Sequence, residues 1–589
     1  MNGAQIAVEA LRREGVRHIF GLPGTTIMNL IDAAGQEPDI RYLSVRHEQV
    51  AAFMADGYAR AGGGIGVCMA SRGPGAANLA IGVHNAHAES VPVLALVGQV
   101  SDGIYYRDAF EEMDLVRFFE PITKWSAEIH STARIPELMQ RAVRTALSGR
   151  PGPVLVSLPL DVQTAEADVA YQPRFRPARP APQASDVEDA VARLAAADRP
   201  VAILGGGAAG RRHDASLIRL VERLQLPVVT SWLRKNVFPN DSPLFCGSLG
   251  YGAVAATEDL VRQADVVLAI GCRFSEFTSR RWTLLPSDAT LIQVDIDPGV
   301  LGQFYVPDLG ICADSATATA AMLAAADGRA LDRLGGQHGR AARAAAARRA
   351  YLEQTYLEQA YLEQAYLEQA HLEQAHSEQA HSEQAHLEQA GIRQASPGPP
   401  GVSSAALIIA LREVLGSTRA ILVQDAPSFG TWIHRHLDFT EPGSFYASAG
   451  GSMGWGFPAA MGMQLARPDA RVVNISGDGS FWMVAQDLET AVREDLPVVT
   501  VISNNFSFGN TRDRQRTAHG GRYVGVFYGN PDFAAYARLL GAHGERVETE
   551  AGLLPALERA MASGRPAVVD VIQDRHEGLP SDLAPPIAR

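Results

Sequence analysis

Apolar runs of strand length alternate with stretches of helical spacing along most of the 589 residues. The alternation is clearest between Arg471 and Asn505. There RVVNIS is a short apolar, β-branched run, GDGS is a turn, FWMVAQDLETAVRED has helical spacing, and LPVVTVIS is a second apolar run. The pattern predicts a βαβ unit whose two parallel strands end on the same edge of a sheet. Asp478 and Asn505, each just past the end of a strand, then come side by side on the edge where open α/β sheets bind ligands.

The same periodicities divide the rest of the chain. Residues 1–165 read as a first α/β domain, with strands in HIFG, RYLSV, GVCMAS, VPVLALVGQV and PVLVSLPLDV and a helix over HEQVAAFMADGYARAGG. Residues 166–186 are Pro-rich and predict an extended linker. A second α/β domain spans 187–328, with strands RPVAILGGG, LPVVTS, ADVVLAIGCRF and ATLIQVDIDP. A third spans 402–578, and 579–589 form a tail. The expectation is an α/β protein of three doubly wound parallel-sheet domains.

Residues 329–401 break the pattern. An Ala/Arg-rich stretch of helical propensity leads into eight pentapeptide copies over 351–390, from YLEQT to HLEQA, and then into the linker ASPGPPG. A five-residue step advances about 140° around a helix, so no face stays apolar and no coiled-coil seam forms. The expectation is an exposed helix or disordered insert without a catalytic role, its four histidines notwithstanding.

Composition then narrows the function. A hydrophobic content of 47% with 20% charged residues is that of an ordinary globular protein. The net charge of -13 argues against nucleic-acid binding. The four cysteines are scattered without a CxxC, which fits buried thiols in a reducing compartment. No apolar run has the length of a membrane span and the N-terminus lacks a secretory pattern, so a cytoplasmic protein is expected.

The chemistry gathers at the sheet edge. Gly477 and Gly479 leave room for a diphosphate near the backbone and helix N–H groups. The Asp478 carboxylate and the Asn505 amide oxygen suit Mg²⁺ shared with phosphates. GDG, 24 residues and NN together resemble the cofactor signature of thiamine-diphosphate enzymes. GLPG (21–24), RHEQVAAFMADGYAR (46–60) and SRGPGAAN (71–78) resemble the pyrimidine-binding domain of the acetolactate-synthase-like branch, and GGSMGWGFPAA (450–460) resembles its diphosphate-binding domain.

The resemblance implies roles residue by residue. Glu48 is the carboxylate that shares a proton with the cofactor's aminopyrimidine ring and so assists deprotonation at the thiazolium carbon. The Gly451 carbonyl accepts from the amino group of that ring, and Met453 supports the bend between the two rings. Gly477, Asp478, Gly479, Ser480 and Asn505 hold the diphosphate, with Asp478, Asn505 and the Ser507 carbonyl as ligands of Mg²⁺. DAFEEMD (108–114) and PITKW (121–125) resemble the acceptor pocket, which would use Phe110, Glu111 and Lys124. The family usually has Gln where Glu111 stands and Trp where Arg514 stands. Arg512, Arg514 and Arg516 form a basic cluster suited to a carboxylate, sulfonate or phosphate.

CGSLGYG (246–252), GCRFSE (271–276) and VDIDP (294–298) resemble the FAD-holding middle domain of acetolactate synthases, but related members keep that domain without flavin, so FAD stays open. The implied activity is a carboligase dependent on thiamine diphosphate and Mg²⁺ that decarboxylates a 2-keto acid such as pyruvate and adds the carbanion to an acceptor. The alternative is a related decarboxylase, lyase or acetyltransferase with another donor or acceptor. A non-catalytic nucleotide-binding module is the reading from a different class. A homodimer or homotetramer with the active site at the dimer interface is implied, a small regulatory subunit is left open, and neither nucleic acid nor membrane is expected as a partner.

Overall fold

A computed structural model describes residues 1–209, 214–329, 339–355, 401–416, 418, 420–425 and 428–573. The pentapeptide repeat beyond its first copy, the linker before 401 and the tail lie outside these residues. Three six-stranded sheets, all parallel, carry the fold. In spatial order the first is Arg41–Ser44, His18–Gly21, Gly66–Ala70, Val93–Gln99, Val154–Pro159 and Trp125–Glu128. The second is Leu309–Cys312, Thr290–Asp295, Val266–Ile270, Pro200–Leu204, Val228–Thr230 and Phe245–Ser248. The third is Phe445–Ala447, Ala420–Gln424, Arg471–Gly477, Val499–Asn504, Ala567–Ile572 and His543–Val547.

Helices cover both faces, which is why central strands such as Val93–Gln99 are buried at every position and read as unbroken apolar runs. The first and third sheets share one strand order, and the second has the order of a dinucleotide-binding sheet. Among the described residues no helix is long and apolar enough to cross a membrane.

One expected helix is broken. The stretch after GDG divides into Asp478–Trp482, a single tight turn at Ala485–Asp487 and Leu488–Arg493, because Val484 leaves helical geometry. The Asp487 carboxylate there accepts from the Arg46 N–H at 2.8 Å and from the Thr490 hydroxyl at 2.9 Å. The first pentapeptide copy continues a helix over residues 340–355, and its Tyr351 is buried edge-on against Phe245. That copy is therefore part of the middle core rather than an exposed insert.

The first and third domains meet through two helices, Glu48–Tyr58 and Gly456–Ala466. They cross at glycines: a Cβ on Gly57 would lie 2.1 Å from the Ala459 carbonyl oxygen, and one on Gly462 would lie 2.1 Å from that of Met54. Gly462→Val should push the helices apart and cost about 3 kcal/mol, the upper end for overpacking. A denaturant midpoint unchanged in that variant would contradict the close crossing.

Glu89 ties the three domains together. Its buried carboxylate pairs with Arg60 at 3.3 Å and with Arg234 of the middle domain, and accepts from the Ala449 N–H of the third. Burial pushes the carboxyl up, but Arg234 and Arg60 outweigh it and hold the group at about 2. Because the folded value lies below the ordinary 4.5, the ion pairs stabilise the fold above that pH and are lost as the pH falls towards 2. Glu89→Gln leaves the Arg60 guanidinium and the half-buried Arg234 guanidinium short of a partner and should cost about 3 kcal/mol at neutral pH. Urea unfolding at pH 7 and pH 4 checks it, since the variant should lack part of the wild-type loss in acid.

Candidate active site

The third sheet delivers the first part of the site. Gly477 ends its strand opposite Ser503, and Asp478 opens the next helix, so the carboxylate lies at the edge beside Asn504 and Asn505. Asp478 is 1% exposed. One carboxylate oxygen accepts from the Gly479 N–H at 2.9 Å and the Tyr528 hydroxyl at 3.1 Å, the other from the Asn530 amide at 2.7 Å. Asn530 also donates to Asn504 at 2.9 Å. Burial raises the Asp478 carboxyl above the usual range, and these neutral donors offset it only partly. Among the described residues no Lys, Arg or His pairs with it.

Asn505 turns its amide oxygen onto the Ser507 N–H at 3.1 Å and the Ser507 hydroxyl at 2.9 Å. Between them Phe506 has a left-handed φ of 53°, a reversal rare for a bulky residue and consistent with strain held at a site. Gly479 is needed for a reason the sequence does not disclose: a Cβ there would meet the Tyr528 hydroxyl at 2.7 Å and the Phe508 ring at 2.8 Å. Ser480, one residue on, is buried.

The glycine-rich turn faces open space. Gly451 has φ 71° and is exposed, and a Cβ there would meet no atom within 4 Å. Met453 is half-buried beside it. Asp425 fixes the turn by accepting from the N–H groups of Gly454 at 3.3 Å and Gly456 at 2.9 Å. The Trp455 indole N–H donates to the buried Asp56 at 3.0 Å, joining this turn to the Glu48 helix.

Glu48 is the first residue of its helix, and His47 caps it by accepting from the Gln49 N–H at 3.2 Å. The Glu48 carboxylate is 8% exposed and accepts from the Asn78 amide at 2.9 Å. A Cβ on Gly75 would lie 3.2 Å from it, so that glycine makes room for the carboxylate. Gln49 next to it donates to the Met483 carbonyl at 2.9 Å. Among the described residues no hydrogen bond or ion pair of Glu48 reaches Gly451, Met453 or Asp478 in the same chain.

The expected acceptor residues fall in different places. Phe110 is 77% exposed, and its carbonyl accepts from Arg72 at 2.7 Å. Glu111 has φ 60° and packs its backbone on Gly73, so the 108–114 loop rests on the 71–78 loop. Lys124 instead donates to the carbonyls of Thr145 and Ser148 at 2.5 and 2.7 Å, at the C-terminal end of the Ile135–Leu147 helix. The basic cluster also divides. Arg512 is buried on Asp513 and the Ser507 hydroxyl, and Arg516 leans to Asp513, whereas Arg514 is exposed.

Asn78, Asp425, Tyr528 and Asn530 escaped the sequence reading. Each acts by holding a motif residue, and none stands at a diagnostic spacing.

The donor set tests a metal and a diphosphate. A buried carboxylate held only by neutral donors, an amide oxygen and a backbone carbonyl are hard oxygen ligands that fit Mg²⁺, and the turn at Gly451 leaves clear space for a ligand. Three family profiles match the chain: the N-terminal TPP binding domain of thiamine pyrophosphate enzymes over residues 1–118, their central domain over 187–323 and their C-terminal TPP binding domain over 425–571. The chain belongs to the thiamine pyrophosphate enzyme family.

Relatives of this thiamine pyrophosphate enzyme extend over its full length. The probable acetolactate synthase large subunit of Methanocaldococcus jannaschii is 33% identical over 100% of this chain and 94% of its own. The acetolactate synthase isozyme 2 large subunit of Escherichia coli is 32% identical over 100% and 98%. The probable acetolactate synthase 2, chloroplastic, of Oryza sativa is 33% identical over 98% and 83%.

Proposed function

We propose that this thiamine pyrophosphate enzyme is a Mg²⁺-dependent carboligase that removes CO₂ from a 2-keto acid such as pyruvate and joins the remaining unit to an acceptor carbonyl. The observation that carries it is Asp478, a buried carboxylate with no cationic partner among the described residues, at the C-terminal edge of the third sheet. Such a group costs stability until a cation joins it. Asp478, Asn505 and the Ser507 carbonyl would hold Mg²⁺, and the glycine-rich turn at 450–456 would bind the cofactor's ring end. When bound, thiamine pyrophosphate supplies the carbon nucleophile and the electron sink for decarboxylation. Glu48, fixed by Asn78, would hold and return a proton at the pyrimidine ring, and the buried setting keeps bulk water from it.

Glu48 makes its polar contacts within its own domain, and apolar side chains at Tyr106, Phe110 and Trp482 stay exposed. Both facts support completion of the site by a second copy, as a homodimer or dimer of dimers. The relatives named as large subunits support a small regulatory partner as well. Arg514 and Glu111 favour one variant of this reading, a related decarboxylase, lyase or acetyltransferase with an acceptor other than pyruvate.

The strand order of the middle sheet, which reverses between Val266–Ile270 and Pro200–Leu204, is of the kind that takes an adenine dinucleotide such as FAD at its switch point. Its glycines are used internally, since a Cβ on Gly205 would lie 2.1 Å from the Gly271 carbonyl oxygen. Charge supports the fit better. Burial, and after it the charge of Arg150, lower Arg273 to about 10. Arg150, Arg234 and Arg273 would hold a diphosphate there. Flavin absorbance of the purified protein tests this. For the main proposal, thermal stabilisation by thiamine pyrophosphate should require Mg²⁺. Equal stabilisation in EDTA would argue against the assigned metal ligands.

A further inference from the structure

The turn that would receive the cofactor's ring end has no regular structure of its own. Residues 448–455 join the strand Phe445–Ala447 to the helix Gly456–Ala466. Gly451 in their middle is left-handed, and a Cβ there would touch nothing within 4 Å. Asp425 of the same domain takes the N–H groups of Gly454 and Gly456 at the far end. Other anchors come from the first domain.

Asp56 lies further along the helix that Glu48 opens and is fully buried. One of its carboxylate oxygens accepts from the Trp455 indole N–H at 3.0 Å, and the other accepts from the Asn85 amide at 3.3 Å. Asn85, on the helix Pro74–Glu89 and likewise buried, accepts in turn from the Ser448 hydroxyl at 2.6 Å. The Ser448 oxygen then accepts from the Gly450 N–H at 3.1 Å. Only one orientation of the Asn85 amide serves both of its bonds, and the single hydroxyl proton of Ser448 is committed to it. The donors therefore run one way, from the Gly450 N–H to the Asp56 carboxylate, as a relay in which each bond polarises the next. A Cβ on Gly450 would lie 2.6 Å from the Asn85 oxygen, so the turn comes down close on this relay.

Asp56 thus holds both ends of the stretch from Gly450 to Trp455. Arg60 braces the same group, pairing with Asp56 at 2.7 Å, lying 4.7 Å from the Trp455 ring centroid and donating to the Ala447 carbonyl at 3.0 Å. Among the described residues none of Asp56, Asn85, Ser448 and Trp455 makes a hydrogen bond to Asp478 or Asn505.

We propose that Asp56 is a positioning residue for the ring end of the cofactor: through Trp455 on one side and through Asn85 and Ser448 on the other, it sets where the Gly451 carbonyl and Met453 stand. The inference rests on the reading in which the 450–456 turn takes the rings. It gives the first domain a part in cofactor binding besides the Glu48 carboxylate, and that part acts on the rings and not on the diphosphate.

Two ligands separate such a role from a tie between domains. Thiamine pyrophosphate presents rings and phosphates, and inorganic pyrophosphate presents phosphates alone. Each is titrated calorimetrically, with Mg²⁺, into the full-length protein freed of cofactor. Trp455→Phe keeps a ring beside Arg60 and removes the N–H to Asp56. Ser448→Ala opens the other arm at a half-buried position, which keeps the test alive if the buried Trp455→Phe change prevents folding. The wild type should bind thiamine pyrophosphate more tightly than pyrophosphate. Each variant should weaken thiamine pyrophosphate about 5- to 10-fold, the range of one hydrogen bond, and leave pyrophosphate unchanged. Ser448→Thr, which retains the hydroxyl, should restore the affinity. Equal losses for both ligands, or thiamine pyrophosphate affinity unchanged in the folded variants, overturns the proposal while the turn keeps the rings. Equal affinities of the wild type for the two ligands would instead take the rings away from the turn, and the proposal with them.

Discussion

Glu48→Gln should lower turnover by about 100- to 10,000-fold, the usual contribution of a positioned general acid–base group. The amide has nearly the size of the carboxylate it replaces. It can still accept from Asn78, and the glycine at 75 still leaves room. Helix Glu48–Tyr58 keeps its His47 cap and its crossing with Gly456–Ala466, so the fold should be unchanged. What is lost is the ability to exchange a proton. The loss should therefore appear in kcat, with thiamine pyrophosphate affinity altered far less. Single-turnover decarboxylation together with cofactor titration separates these, and a variant with wild-type kcat would remove Glu48 from the chemistry.

Asp478→Asn should abolish the Mg²⁺-dependent stabilisation by thiamine pyrophosphate without weakening the apoprotein. The carboxyl is raised by burial in the fold, so its charged form costs stability. That cost is absent in acid and appears as the pH rises through the folded value. An asparagine keeps an oxygen for the Gly479 and Tyr528 donors, gives up only the acceptor for Asn530, and carries no charge. The apoprotein variant should thus melt at or above the wild-type temperature near neutral pH, while the cofactor shift disappears. A variant that melts lower and still responds to the cofactor with Mg²⁺ would contradict the assignment of Asp478 as metal ligand.

How much was legible follows from burial. Central strands covered on both faces, such as Val154–Pro159 and Val266–Ile270, are continuous apolar runs and stand out in the sequence. Edge strands do not. Trp125–Glu128 is half-buried at every position, and His543–Val547, within a stretch of apparent helical spacing, is buried only at Val547. The helix after GDG looked continuous because its apolar spacing is, whereas the contact of Asp487 with Arg46 breaks it from another domain. The motif residues were visible because spacing reveals them. Their supports were not, because Asn78 and Asn530 act by tertiary proximity alone. Arg512 likewise belongs by spacing to one basic cluster with Arg514 and Arg516, and only its burial on Asp513 and Ser507 separates it from Arg514.

The most direct test of the carboligase assignment is product analysis after incubation with pyruvate, thiamine pyrophosphate and Mg²⁺, alone and with a second 2-oxo acid. The expected result is loss of pyruvate, stoichiometric CO₂ and a product in which the remaining two carbons are joined to an acceptor. Acetaldehyde as the sole product, or pyruvate left intact together with every other 2-oxo acid, would contradict it.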